Sequence, residues 1–259
     1  MFDAHCHLDR CIERPVSVLK RAHAAGVTDL LIAGVDAPSW PGQTALSGPG
    51  VHIAWGIHPW RIANAPARIP EELLALERLL TDPPIPPVAL GETGLDHGRR
   101  VDPDSHADQE HGFRAQIHLA HRFSLPLILH VVRAHARTIE ILKEEGVPEA
   151  GAMVHSFSGN TQQAEHYIRL GLHISFCGSV VDPKNTRVRT AVKHLPSDRL
   201  LVETDAPDQT PISRIPHPNE PAFLIDVIAA VAELRGCLPS DVAQMTSTNA
   251  HTLFGTQPT

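Results

Sequence analysis

The chain has 259 residues, 42% of them hydrophobic, and a formal net charge of −7. That length suits one large domain or two small ones with a sizeable core, and without any Lys/Arg block the sequence lends no support to a general electrostatic affinity for nucleic acid. Bound divalent cations would still add local positive charge. The four cysteines, Cys6, Cys11, Cys177 and Cys237, form no CxxC pair, which excludes a disulfide scaffold and suggests reduced thiols in a cytoplasmic protein. Met1 and Phe2 lead straight into the first motif, so no signal peptide is expected, and no apolar run is long enough to span a membrane. One domain over residues 1–259, ordered to about residue 255, and a monomeric state are expected.

Strand-like and helix-like segments alternate along the chain. Strand one is expected over residues 2–8, a helix over 15–25, strand two over 29–35, an irregular stretch over 37–50 and strand three over 51–57. A helix over 70–80 and the stiff connector Asp82-Pro83-Pro84-Ile85-Pro86-Pro87 lead into strand four, expected over 88–91. The second half reads as a helix over 104–123, strand five over 125–130, a helix over 134–145 and strand six over 151–155. A helix over 161–170, strand seven over 172–176, a helix over 184–194 and strand eight over 199–203 follow. Two helices, over 221–235 and 240–254, close the chain. Eight such repeats in this length predict a TIM (β/α)₈ barrel, with an open doubly wound sheet as the runner-up. No GxGxxG or GxxxxGK[ST] follows any strand, which disfavours the open sheet.

Active sites of such barrels form at the C-terminal ends of the strands. Six metal-type residues fall there. His5 and His7 end strand one, and the period of two places them on one face with Cys6 on the other. Glu92 follows strand four, His130 ends strand five, His155 ends strand six and Asp205 follows strand eight. Each has a bland reading alone: a structural or buried histidine, a salt-bridge partner, a turn cap. Six coincidences at strand ends are harder to accept than one metal site. One catalytic zinc takes about three protein ligands. Six ligand-type groups therefore predict two metals sharing a carboxylate, a geometry suited to hydrolysis of phosphate esters or amides. Most of the other histidines read as ordinary, with His23, His166 and His194 on helices facing solvent and His118 and His121 as surface groups.

The runs Asp3-Ala4-His5-Cys6-His7-Leu8-Asp9, Gly56-Ile57-His58-Pro59, Gly91-Glu92-Thr93-Gly94-Leu95-Asp96, Leu125-Pro126-Leu127-Ile128-Leu129-His130, His155-Ser156-Phe157-Ser158-Gly159 and Leu200-Leu201-Val202-Glu203-Thr204-Asp205-Ala206-Pro207 carry a resemblance. In these runs the chain resembles the TatD family of metal-dependent hydrolases, in the amidohydrolase-like superfamily, in order from near residue 1 to Phe254. The resemblance implies a TIM barrel, two divalent cations (Mg²⁺, Mn²⁺ or Zn²⁺) and deoxyribonuclease activity, often as a 3′→5′ exonuclease on single strands. It implies that His5, His7, Glu92 and Asp205 hold one metal and that Glu92, His130 and His155 hold the second. His58 would contact the scissile phosphate. The chain departs from the family pattern at Ala4, where threonine is usual, at His97, where an aromatic residue is common, and at Arg133, which stands one residue late after His130.

Single-stranded DNA is thus the expected partner. Asp205 is the expected general base, Glu92 the bridge, and His58 and Arg133 the phosphate contacts. Trp60 and Phe157 are the aromatic candidates for base stacking. Two other functions fit the same residues: hydrolysis of an amide or a small phosphate ester, and a degenerate, non-catalytic scaffold.

Overall fold

The computed structural model describes residues 1–257; the expected single-domain span runs two residues beyond them. Eight strands lie side by side in chain order, every neighbouring pair parallel. They are β1 (Phe2–Cys6), β2 (Asp29–Ile32), β3 (Val51–Trp55), β4 (Ala89–Asp96), β5 (Leu127–Val132), β6 (Ala152–Val154), β7 (His173–Phe176) and β8 (Leu200–Val202). Two backbone hydrogen bonds bring the last strand round to the first. Asp205 N–H donates to His5 O at 3.0 Å, and His7 N–H donates to Ala206 O at 2.7 Å. The expected TIM barrel is the fold, and its seam lies between the two segments that carry His5, His7 and Asp205.

Among the described residues, ten α-helices connect the strands or follow the last: α1 (Pro15–Ala24), α2 (Trp40–Leu46), α3 (Pro59–Asn64), α4 (Ile69–Thr81), α5 (His106–Phe123), α6 (His135–Glu145), α7 (Thr161–Arg169), α8 (Thr186–His194), α9 (Leu224–Arg235) and α10 (Pro239–Phe254). Alternation along the strands sorts the apolar residues into two sets. Leu30, Ile32, Ile53, Trp55, Leu127, Leu129, Val154, Leu200 and Val202 pack with helix residues such as Phe113, Ile117 and Val227. The intervening Leu31, Ala54, Ala89, Ile128, Met153 and Leu201 form a second cluster with Leu253 and Phe254 of α10. This second set fills the barrel, and the end of α10 plugs it. Continuing the same inward positions towards the strands' C-terminal ends reaches His58, His130, His155 and Glu203, whereas Glu92 is out of step with Ala89 and comes in through a shift of register.

Strand four departs most from expectation. It runs through Asp96, so Glu92 lies inside a strand and not after one. Gly91 and Gly94 hide this in the sequence, because glycine reads as a strand breaker. Here they permit close approach. Both have positive φ, 154° and 129°, and a Cβ on Gly94 would overlap the carbonyl of His130. The ladder between β4 and β5 shifts register between Leu90 and Thr93, a bulge that re-aims the strand at its functional residue.

Candidate metal centre

Glu92 is the hub. Its Oε2 lies 3.2 Å from His7 Nε2 and 3.6 Å from His5 Nε2. Asp205 Oδ1 lies 3.6 Å from the same His5 nitrogen and 3.9 Å from that of His7. On the other side, Glu92 Oε1 lies 2.7 Å from His155 Nε2 and 3.3 Å from His130 Nδ1. The structure therefore brings all six expected ligands together, divided by the two oxygens of one carboxylate. His58 Nε2 stands beside the second lobe, 3.7 Å from Glu92 Oε1 and 3.2 Å from His130 Nδ1.

The donor set suits metal ions. His5 is buried, and among the described residues neither of its ring nitrogens has a hydrogen-bond partner. Stranding such a group costs about 1–3 kcal/mol unless something else binds it. Two ligands of a four-coordinate ion with bonds of about 2.1 Å lie about 3.4 Å apart, close to the separations around His5 Nε2. His130 Nδ1 and His155 Nε2 face each other at 3.2 Å, two ring nitrogens directed at one point. Three groups of donor atoms, His5/His7/Glu92, His5/His155/Asp205 and His58/Glu92/His130, each converge closely enough to hold an ion.

Burial alone would raise the Glu92 pKa, but His155, His5, His58 and His130 outweigh it and hold the carboxyl well below its usual range. Burial, and then the facing His155, push the His5 pKa down. Asp205 goes the other way, raised by burial and by the neighbouring Glu203 against the pull of His155 and His5.

Three carboxylates that the sequence reading passed over support the ligands. Asp96 Oδ2 lies 3.1 Å from His130 Nε2, so His130 can donate there and leave Nδ1 towards Glu92. Glu203 Oε1 lies 3.5 Å from His155 Nδ1 and accepts the Ser156 N–H at 2.5 Å. Carboxylates behind ligating histidines fix ring orientation and tautomer. Asp3 accepts the Thr204 N–H at 2.8 Å and its hydroxyl at 2.5 Å, which ties β1 to the turn carrying Asp205; burial pushes its pKa up to about 8. The period of two already marked two of these: Asp96 is in step with Glu92, and Glu203 with Asp205.

The substrate-side candidates fare differently. His58 ends β3's extension and caps α3, its Nδ1 accepting the Trp60 N–H at 2.9 Å. Trp60 is 51% exposed, edge-on to the His58 ring at 5.2 Å between centroids. Arg133 is exposed just beyond β5 with φ 54°, and no hydrogen bond or ion pair among the described residues holds it. Phe157 is a correction. It is 1% exposed and packs against His135, Tyr167 and Phe176, so it has no free face to stack a base. Ser156, with φ 44°, breaks the alternation and turns the next side chain into the core.

The chain is similar along most of its length to known proteins. It is 36% identical to the 3′-5′ ssDNA/RNA exonuclease TatD of Pantoea vagans (strain C9-1), over 92% of each chain. It is also 36% identical to a Mycobacterium tuberculosis protein named uncharacterized metal-dependent hydrolase TatD, over 98% of each. The crystal structure of YJJV, a TatD homolog from Escherichia coli K12, superposes with a TM-score of 0.90 at 32% identity, covering 99% of this chain and 98% of that one. The family model for TatD-related DNases matches residues 2–255, and with these relatives the chain belongs to that family of metal-dependent hydrolases.

Proposed function

We propose that the protein is a two-metal 3′→5′ exonuclease acting on single-stranded DNA. The observation that carries this reading is the division of Glu92, one carboxylate oxygen towards His5 and His7 and the other towards His130 and His155. His5, His7, Glu92 and Asp205 would hold one divalent cation, Mg²⁺, Mn²⁺ or Zn²⁺, and Glu92, His130 and His155 the second. Bound there, the cations supply Lewis-acid neutralisation of the phosphate and acidify a water. The name of the Pantoea relative supports nucleic acid as the substrate. The four free thiols suit a reducing cytoplasm, and among the described residues no helix is long and apolar enough to cross a membrane.

The side chains divide the remaining work. Asp205 takes the proton of the attacking water, as the carboxylate of the first lobe that does not bridge. His58 accepts at Nδ1 from the Trp60 backbone, so its proton sits on Nε2, on the side facing the second lobe. That N–H donates to a non-bridging phosphate oxygen and stabilises the charge that develops there. Trp60 stacks the terminal base, worth about 1–3 kcal/mol. Such stacking requires an unpaired base, which favours single strands. Arg133 pairs with a neighbouring phosphate of the strand.

A digest of 3′-end-labelled single-stranded DNA with Mg²⁺ or Mn²⁺, beside Glu92→Gln and an EDTA control, tests this. Release of the label as a mononucleotide by the wild type alone supports the reading. Cleavage surviving in Glu92→Gln or in EDTA defeats the mechanism. Metal-dependent cleavage of an amide or a small phosphate ester, with DNA untouched, moves the same site to another substrate.

A further inference from the structure

Asp96 does more than hold one histidine. Its Oδ2 accepts from the Trp60 indole N–H at 2.5 Å and faces His130 Nε2 at 3.1 Å. Its Oδ1 accepts the Gly98 N–H at 2.6 Å. The backbone of Asp96 is fixed on both sides by Gln109, which accepts its N–H at 2.8 Å and donates to its carbonyl at 3.2 Å. The carboxylate is therefore held from three directions on a backbone that is itself fixed. Gly98 is required for one of them, since a Cβ there would sit 2.7 Å from Oδ1. Trp60 is pinned at two points, its backbone N–H on His58 and its indole on Asp96.

We propose that Asp96 is a positioning residue that sets His130 and the Trp60 ring together, so that one carboxylate aligns both a metal-lobe nitrogen and the surface on which a base stacks. This rests on the reading of His130 as a ligand and of Trp60 as a base platform. A rigid, pre-oriented aromatic loses little freedom when a ligand stacks on it, which is where such a platform gains affinity. A freely rotating tryptophan at the same place would give up part of that gain on each encounter.

The chemistry of the shared oxygen makes the proposal testable. Asparagine at 96 offers one acceptor oxygen where three N–H groups now use two. Its NH₂ must face either the Gly98 N–H or the pair formed by Trp60 and His130. Facing the pair, it forces His130 to accept at Nε2 and to carry its proton on Nδ1, the nitrogen 3.3 Å from Glu92. A metal ligand is lost and the indole is released in the same step.

Of the three tryptophans, Trp40 and Trp55 are buried, so the difference between wild type and Trp60→Phe isolates Trp60 emission. In chelated protein, Asp96→Asn should make that emission more accessible to acrylamide. In a Mn²⁺ titration followed by electron paramagnetic resonance, Asp96→Asn should raise the binding midpoint about 10–100-fold, the usual cost of losing such a partner. Trp60→Phe should leave the midpoint unchanged and raise KM for a single-stranded oligonucleotide without lowering kcat, whereas Asp96→Asn should change both. Should Asp96→Asn fail to fold, Asp96→Ser serves, because its hydroxyl cannot reach Gly98 and the Trp60/His130 pair together. Unchanged quenching of Trp60, or an unchanged Mn²⁺ midpoint, in Asp96→Asn and Asp96→Ser alike overturns the proposal. If the wild type binds Mn²⁺ but cleaves no DNA, the nuclease reading fails while quenching and midpoint still decide the role of Asp96. No Mn²⁺ binding by the wild type overturns both.

Discussion

His5 and His155 stack face to face, their ring centroids 4.0 Å apart and their planes 15° from parallel, although they serve opposite oxygens of Glu92. Two imidazoles this close cannot both be charged without strong repulsion, and His5 is also buried without a hydrogen-bond partner among the described residues. The stack therefore carries at most one charge: burial and His155 push the His5 pKa down, while Glu92 and Glu203 outweigh burial and push that of His155 well up, which leaves the neutral His5 nitrogens open to a cation.

Divalent cations should therefore stabilise the protein markedly. At a concentration 100-fold above Kd, the expected gain is about 2.7 kcal/mol. For a chain of this size that raises Tm by about 5–10 °C. Differential scanning calorimetry with EDTA and with Mn²⁺ measures the shift, and Glu92→Gln should abolish most of it. Equal Tm values in both buffers would contradict the ligand assignment.

Trp60 and Phe157 should separate cleanly on substitution. Trp60→Leu should weaken binding of a single-stranded oligonucleotide by about 1–3 kcal/mol and leave the urea midpoint nearly unmoved, since the residue is half exposed. Phe157→Ala should lower stability by about 3–5 kcal/mol, the cost of a cavity where a buried ring stood. Fluorescence anisotropy and urea denaturation read the two effects. A loss of affinity in a stable Phe157 variant would restore that residue to the substrate site.

Stability should carry a histidine signature away from the metal centre. Burial, reinforced by Arg187, depresses the His135 pKa from 6.5 to about 4, and the ring Nδ1 lies 3.0 Å from the Tyr167 hydroxyl. Between those values the unfolded chain takes up a proton that the folded one does not. His135 thus contributes stability fully above pH 6.5 and loses it as pH falls towards 4. The wild type minus His135→Phe difference in unfolding free energy should rise across that window, by about 3 kcal/mol at most, and flatten above it. A difference that does not vary with pH there would refute the assignment.

The sequence displayed the site better than it displayed the backbone that holds it. His5, His7, His130 and His155 were legible because a period of two and a following loop mark an inward position at a strand end. Strand β4 was cut short because Gly91 and Gly94 look like breakers, and with it went Asp96, which shares the face of Glu92. Helices α2 and α3 were missed for a related reason. Each has a proline in its first turn, where the missing N–H costs nothing, yet Pro41-Gly42 and His58-Pro59 read locally as turns. Phe157 adjoins His155 in the sequence, but the positive φ of Ser156 between them turns its ring into the core. The plug formed by Leu253 and Phe254 had no local signal, since only closure of the barrel brings α10 beneath the first strand.

The central claim is that one carboxylate, Glu92, joins two cation sites. Mn²⁺ stoichiometry measured by equilibrium dialysis, with electron paramagnetic resonance of the bound fraction, tests it most directly. The structure predicts two Mn²⁺ per chain with an exchange-coupled signal, and loss of that coupling in Glu92→Gln. One Mn²⁺ per chain, or two uncoupled ions that Glu92→Gln leaves in place, would contradict it.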